Sequence, residues 1–331
     1  MTASPRHDAL PRGQEPQVPV FRSLAKFPSN FGPTIAAIGN FDGVHIGHRG
    51  ILGAAVLEAR SSGVRSLAIT FSPHPELFLR PATAPRLITP DTEERVRLIR
   101  STGVDAVLVL PFDRELARIP GREFAQQVLA RSLNVRAVHE GQSFRFGYRA
   151  AAGVKELATF GAEFGFAVHV HEAVRIHGLE ISSSAVRALI AAGDVRRARW
   201  MLGRPFAVRS TQARGRGIGS RLVVPTVNLA DYGGLLPGFG VYITRLSVDG
   251  RSFHAVTNVG NRPTFGQDSF AVESHILDFE PTDLAEDARL ELAFLYRLRG
   301  EMKWDSAEAL KAQIFKDVVS AKRYFRLAEA R

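Results

Sequence analysis

The sequence predicts an α/β half built on a parallel sheet, followed by a smaller antiparallel β-barrel closed by one helix. Three observations predict it. Between residues 35 and 203, short unbroken apolar runs alternate with segments of helical length and spacing. Beyond Arg204-Pro205 the grammar changes to alternating runs, frequent glycine and tight turns. The last stretch returns to helical spacing. With 331 residues, two domains are the natural division, and the change of grammar sets their bounds at 19–204 and 205–331.

Residues 1–18, with Pro5, Pro11, Gly13 and Pro16, hold few apolar anchors and are expected to be a disordered extension. Strands are then predicted at 34–38, 66–71, 105–110, 135–139 and 166–171, and helices at 48–60, 91–101, 121–133 and 184–192. Apolar runs without alternation belong to strands buried on both faces. With crossovers of this length they predict an open, right-handed, Rossmann-like sheet that binds ligands at the carboxyl ends of its strands.

The stretch that follows the first of these strands is Gly39-Asn40-Phe41-Asp42-Gly43-Val44-His45-Ile46-Gly47-His48. Strand, glycine-bearing turn and helix N-terminus make a phosphate site, because the first N–H groups of a helix point outward at its positive end. His45 and His48 lie three apart, on one helical face, able to donate to the same phosphate chain. Gly47 would let a ligand approach the backbone. The same two histidines could be ordinary surface residues or half a zinc site, although no cysteine and no obvious third ligand is nearby.

Two strand-end loops, Phe71-Ser72-Pro73-His74-Pro75 and Pro111-Phe112-Asp113, read first as proline-fixed turns and second as ligand loops. In Ile181-Ser182-Ser183-Ser184-Ala185-Val186-Arg187 the serines are good helix caps. Capping alone needs one serine and no arginine, so hydroxyls plus the Arg187 guanidinium suit a triphosphate better.

In the second half strands are predicted at 206–210, 240–248, 252–259, 270–279 and 288–296, with a helix at 305–326 packing through Ala307, Leu310, Ile314 and Val318. Gly215-Arg216-Gly217-Ile218-Gly219 is glycine-rich, but no Gly-Lys-Ser/Thr follows to make it a P-loop. Thr226 and Asn228, two apart on an extended segment, would offer two neutral oxygens to a hard cation, or else begin a strand.

The formal net charge is +10, yet only six of the 43 basic residues are lysine and the arginines are scattered rather than blocked. This fits a mild attraction for anionic ligands such as ATP, or equally an arginine-rich coding bias, and no nucleic-acid partner is expected. The absence of cysteine excludes disulfides, catalytic thiols and thiolate metal sites. No apolar run approaches a membrane span and no hydrophobic signal core is present, so a cytoplasmic location with no membrane association is expected.

The string from Gly39 to His48 closely resembles the nucleotide-binding signature of FMN adenylyltransferases, the N-terminal halves of bacterial bifunctional riboflavin kinase/FAD synthetases. Phe71-Ser72-Pro73-His74-Pro75, Pro111-Phe112-Asp113 and Ile181-Ser182-Ser183-Ser184-Ala185-Val186-Arg187 match further segments of that family. Pro225-Thr226-Val227-Asn228, Gly240-Val241-Tyr242, Asn258-Val259-Gly260-Asn261-Arg262-Pro263-Thr264, Val272-Glu273-Ser274-His275 and Leu298-Arg299-Gly300-Glu301 resemble riboflavin kinase signatures in the right order. The resemblance implies a nucleotidyltransferase domain with catalytic His45, His48 and Arg187, and ATP contacts from Gly39, Asn40, Phe41, Asp42, Gly43, Gly47, Ser182, Ser183 and Ser184. It implies a kinase domain with Glu273 as base, Mg²⁺ on Thr226 and Asn228, and nucleotide or flavin contacts from Gly219, Pro225, Asn258, Arg262 and Arg299. The implied activities are phosphorylation of riboflavin to FMN and adenylylation of FMN to FAD, with ATP as co-substrate.

Departures fall in both halves. Gln142-Ser143 stands where the family has an acidic residue followed by Asp or Asn, Ala150 replaces arginine, and Ala152-Gly153 replaces Gly-Asp. Ser220 replaces a basic residue, Val223-Val224 replace Gly-Phe, and Ala285-Glu286 replace Tyr-Gly. These leave open a member with one active half, or a non-catalytic flavin- or nucleotide-binding protein.

Overall fold

The computed structural model describes residues 18–213, 226–230, 232–248, 250–264, 267–278, 288–302 and 304–330. Two compact units emerge. Unit one takes in the described residues up to Gly39 with Leu52–Ser72 and Ile99–Val170, and unit two takes in Asn40–Ile51, Pro73–Leu98 and the described residues from His171 onward.

Unit one is built on β1 (Val20–Phe21), β2 (Thr34–Ile38), β3 (Arg65–Ser72), β4 (Ala106–Pro111), β5 (Val135–Gly141) and β8 (Ala167–His171), in the sheet order β1-β4-β3-β2-β5-β8. Every pairing from β1 through β5 is parallel, with Ala36 opposite Leu67 on one side and Val138 on the other. All five residues of β2 are buried, as an apolar run flanked by strands on both sides requires. Ala36, Leu67, Leu108, Leu129, Val138, Leu157 and Phe166 share one core. At the end of β2 the Ile38 N–H donates to Glu140 Oε1 at 2.9 Å. Burial pushes that carboxyl well above its ordinary range, against the backbone N–H groups of Ile38 and Gly141.

Three features of this unit differ from expectation. β8 is an edge strand with Ala167, His169 and Val170 exposed, not a strand buried on both faces. The helix expected at 121–133 begins as α4 (Gly121–Glu123) and continues as a π-helix over Phe124–Ser132. A short hairpin of β6 (Arg145–Phe146) and β7 (Ala152–Gly153), then helix α5 (Val154–Phe164), occupy a segment where no element was predicted. Gly165 ends α5 at φ 85°, a left-handed C-terminal stop.

Helix α1 (Ile46–Ser61) follows β2 in the chain, its first residues grouped with unit two and the remainder with unit one. Unit two also holds α2 (Pro75–Leu79), most of α3 (Thr92–Arg100), the hairpin of β9 (Arg175–Ile176) and β10 (Leu179–Glu180), and helices α6 (Ser183–Ala191) and α7 (Val195–Leu202). Its sheet comprises β11 (Phe206–Thr211), β12 (Thr226–Asn228), β13 (Gly240–Val248), β14 (Arg251–Thr264), β15 (Gln267–Ile276) and β16 (Arg289–Arg299), ordered β11-β16-β13-β14-β15-β12 with all pairings antiparallel. The two edge strands meet. Gln212 bridges Leu229, and Ala213 N–H donates to Asn228 O at 2.9 Å, which curls the sheet back on itself.

One face of this sheet shares a core with α6 and α7, joining Val186, Ile190, Ala198, Met201 and Leu202 to Phe206, Tyr242, Leu246 and Phe294. The residue 204/205 junction therefore lies within unit two. Gly238 is needed in this packing, because a Cβ there would lie 2.5 Å from Ala191 O. The opposite face is covered by α8 (Ala307–Glu329), through Ala321 and Phe325 against Val241, Ile243, Val256 and Leu295. Of the predicted stripe Val318 packs on the sheet, but Leu310 and Ile314 remain exposed, and Asp317 is buried against Arg299 further along. Seating that carboxylate on the guanidinium turns the Asp317, Ala321 and Phe325 stripe inward.

Candidate functional site

The loop between β2 and α1 is strained in backbone and fastened by side chains. Phe41, Gly43 and Val44 have φ of 49°, 80° and 37°, and non-glycine residues held there cost about 1–3 kcal/mol each. Gly43 has no alternative, since a Cβ would lie 2.9 Å from Ile88 Cδ1. What holds the loop is Asp42, 1% exposed. Its Oδ1 accepts from Thr89 N–H at 2.9 Å, its Oδ2 accepts from Arg187 Nη1 at 2.9 Å, and its carbonyl accepts from Ser183 Oγ at 3.0 Å. Arg204 adds a further clasp, donating from Nη2 to Gly43 O at 2.8 Å. Burial brings that guanidinium down to about 10.

The two histidines predicted from spacing stack, with ring centroids 3.6 Å apart and planes 16° apart. His45 Nδ1 accepts the His48 N–H at 3.3 Å and so begins the helix. That bond places the proton of a neutral His45 on Nε2. Burial first, then the Arg204 charge, pushes His45 down to about 4. Burial, then His45, pushes His48 well below its ordinary value. Both rings are therefore neutral near pH 7. The Nδ1 of His48 is buried without a hydrogen-bond partner among the described residues, and the Phe41 ring stands edge-on to His48 at 5.3 Å. Gly47 is kept small by His45, whose ring would lie 3.2 Å from a Cβ there.

The serine motif divides its labour. Ser182 caps α6 by accepting from Ala185 N–H at 3.2 Å, Ser183 fastens the loop, and exposed Ser184 accepts from Arg187 Nη2 at 3.1 Å. Arg187 is thus a fixed guanidinium with a side chain 17% exposed. Asp42 and Phe41 are internal supports; Gly39 and Asn40 are half-buried at the strand end. His74 accepts from Glu76 N–H at 3.2 Å and caps α2. Burial lowers it, against the nearby Asp42 charge. Two arginines that sequence reasoning did not single out belong here: Arg204, and Arg95, which is buried and sustained electrostatically by Asp42 and Asp91. An arginine beside a helix-ending proline turn, and one inside a charged helix, carried no pattern to mark them.

The second group is assembled by strand register. Arg299 pairs with Val241, Val241 with Asn258, Asn258 with Glu273, and Glu273 with Asn228. One row of neighbours thus crosses β16, β13, β14, β15 and β12 on the face that α8 covers, collecting four residues predicted from four separate motifs. Glu273 is half-buried there, opposite Val272, Ser274 and Ile276 along its strand. Beside the row Glu301 closes on Gly260, where a Cβ would meet Glu301 Oε1 at 2.9 Å and Asn258 Nδ2 at 3.4 Å. Arg299 is held by Asp317 at 2.9 Å and lies over the Trp304 ring at 5.6 Å. Thr226 and Arg262 are described in backbone only, at register positions opposite His275 and Ser269. Gly219, Pro225, Ser220, Val223, Val224, Ala285 and Glu286 lie outside the described residues.

In unit one Gln142, Ser143 and Ala150 are exposed on the loop between β5 and β7. Ala150 has φ 54°, and Arg145 Nε donates to its carbonyl at 3.1 Å. Gly153 N–H donates to Glu156 Oε2 at 2.7 Å and starts α5.

The chain matches the family model for FAD synthetase over residues 28–185 and that for riboflavin kinase over residues 202–325. It is 37% identical to a bifunctional riboflavin kinase/FMN adenylyltransferase from Pseudomonas fluorescens, over 87% of this chain and 92% of that protein. It is 32% identical to the protein of that name from Escherichia coli K12, over 89% and 94%, and 29% identical to that from Bacillus subtilis, over 88% and 92%. Among solved structures, a macrolide-efflux protein from Streptococcus pneumoniae superposes with a TM-score of 0.82 at 24% identity, over 92% of this chain and 98% of that one. That likeness shows the fold. Among the described residues no helix is long and apolar enough to cross a membrane.

Proposed function

The chain belongs to the family of bifunctional riboflavin kinase/FMN adenylyltransferases, and we propose that its residues divide the two reactions between the clasped loop and the cross-strand row. Such an enzyme phosphorylates riboflavin to FMN and adenylylates FMN to FAD, consuming ATP in both steps. In this reading residues 19–204 carry adenylyl transfer and residues 205–331 carry phosphorylation.

For phosphorylation, Glu273 takes the proton of the riboflavin hydroxyl as it attacks the terminal phosphorus of ATP, and ADP leaves. The supporting observation is the row itself: Glu273 stands between Asn228 and Asn258 by register. Asn228, with Thr226 two positions before it, offers neutral oxygens beside a carboxylate, a donor set that suits Mg²⁺. Bound there, Mg²⁺ would neutralise charge on the nucleotide phosphates. Arg299, Asn258 and Arg262 would orient the flavin and nucleotide.

For adenylyl transfer, an FMN phosphate oxygen attacks the α-phosphorus of ATP and pyrophosphate leaves, with no enzyme nucleophile. His45 and His48 act as neutral N–H donors to the phosphates, and Arg187, oriented by Asp42 and Ser184, adds a fixed positive charge. Catalysis is then positioning plus charge stabilisation. The helix start at residues 46–48 and exposed Ser184 complete the phosphate contacts. The partners are small molecules, and the proposed location is the cytoplasm.

Incubating the purified protein with riboflavin, ATP and Mg²⁺ and resolving flavins by chromatography tests the reading. FMN should appear first and FAD after it. FMN without FAD would leave only the kinase half, and binding without either product would overturn catalysis.

A further inference from the structure

Outside both groups, unit one assembles a third cluster that neither reaction uses. Glu58 lies late in α1, His139 in β5 and His169 in β8, so three elements distant in sequence supply it. His139 Nε2 is 2.6 Å from Glu58 Oε2, and His169 Nε2 is 3.3 Å from the same oxygen. One donor atom from each residue lies within 4.8 Å of the other two. The two imidazoles tilt by 32° with centroids 4.8 Å apart.

We propose that Glu58, His139 and His169 bind a divalent transition-metal ion of the Zn²⁺ class, stapling α1 to β5 and β8. Two imidazole nitrogens and one carboxylate oxygen are the donors such an ion takes, with a water completing the tetrahedron. Bonds of about 2.1 Å in a tetrahedron place ligand atoms roughly 3.4 Å apart. The His169–Glu58 separation of 3.3 Å already meets that spacing, and the His139–Glu58 contact of 2.6 Å needs to open by less than 1 Å. Side-chain exposure rises from 6% for His139 through 30% for Glu58 to 47% for His169. The site is therefore walled on one side and open on the other, which gives an ion both a preformed ligand and a way in. Mg²⁺, which favours six oxygens in an octahedron, is a poor match to this set. The stacked pair His45 and His48 is a weaker rival, because His45 Nδ1 already receives a helix N–H.

The test uses the full chain, stripped with a chelator and titrated calorimetrically with Zn²⁺, then with Co²⁺ to read its ligand-field bands. One equivalent should bind at micromolar affinity or better and raise the melting temperature, with excess Mg²⁺ failing to compete. Loss of even an outer-shell partner costs roughly 10–100-fold in metal affinity. Removing a direct ligand in His169→Ala should therefore weaken binding by about 100-fold or more, without altering the melting of the metal-free protein. Glu58→Gln, which keeps side-chain size and a hydrogen-bonding oxygen, should weaken binding as well and provides a second variant if the first folds poorly. Binding no tighter than millimolar in the parent protein, or undiminished binding in both variants, overturns the site.

Discussion

Two arginine–aspartate pairs, each closed at 2.9 Å, sit at the centre of the two candidate sites, and they do different things. Arg187–Asp42 ties a helix to a loop in which three of four consecutive residues have positive φ. Arg299–Asp317 ties the end of β16, where its pairing with β13 shifts register, to α8, at one end of a row of residues aligned by hydrogen-bonded register. In the first case the ion pair helps create the geometry, because a loop with unfavourable backbone angles keeps them only when its surroundings hold them. In the second it secures a covering helix over geometry the sheet has made by itself. One site is built from side-chain anchors and the other from backbone pairing.

The variant expected to act most strongly is Glu273→Gln, which leaves the row intact and removes its proton acceptor. Losing a general base costs ~10²–10⁴ in rate. Riboflavin phosphorylation should fall by that factor while melting and FAD formation from supplied FMN are unchanged. Undiminished kinase activity would show that Glu273 is a strand residue and nothing more.

On the loop side, His48→Ala should slow adenylyl transfer by ~10²–10³, the usual cost of a lost donor aimed at developing charge. FMN formation should hardly change. Retention of more than about half the transfer rate would reduce His48 to a packing partner of His45 and Phe41.

The comparison itself is sharpest in the paired variants Asp42→Asn and Asp317→Asn. Removing one partner of a buried pair costs roughly 3–5 kcal/mol, and guanidiniums 17% and 18% exposed bring both toward the lower end of that range. The two proteins should thus melt at similarly reduced temperatures but fail differently. Asp42→Asn should lose adenylyl kcat, because its loop loses the clasp. Asp317→Asn should raise the kinase KM with kcat nearly kept, because Glu273 and Asn228 stay in register without α8. Equal kcat losses in both would mean that the two ion pairs play the same part.

A further effect lies in the pH dependence of stability. His45 goes from 6.5 in the unfolded chain to about 4 in the folded one. Between those values the unfolded chain binds more protons, so this contribution is whole above about 6.5 and drains away as pH falls toward 4. It amounts to about 3 kcal/mol, and His48 and His74 shift in the same direction. Urea midpoints should decline across that window, and His45→Gln should flatten the slope. An unchanged slope in that variant would mean His45 is not the neutral ring its burial requires.

Much of the architecture was legible in local sequence. The runs that became β2, β3 and β4 have apolar centres without polar alternation, and burial on both faces suits such a run in a parallel sheet. Gly43 and Gly238 mark close approaches to Ile88 and to the Ala191 carbonyl, which nothing in the local sequence announces. β8 misled, because a run of alternating valine and histidine reads alike at a sheet's edge and in its middle, and only the strand order places it at the edge. The rotation of α8 was equally hidden, since Leu310 and Ile314 repeat at helical spacing as well as Ala321 and Phe325 do, and a buried Asp317–Arg299 pair breaks the tie.

By itself, then, the sequence determined most of the strands of the two sheets and the motifs from which phosphate and proton chemistry is proposed, because periodicity, turn residues and motif spacing act over a few positions. Tertiary structure alone decided that Asp42 clasps Thr89, Ser183 and Arg187, that Arg299, Asn258, Glu273 and Asn228 fall on one row, and that Glu58 meets His139 and His169. Each of these joins residues tens to hundreds of positions apart. Strand register and core packing set such meetings, and both are properties of the whole fold, which no short window of sequence contains.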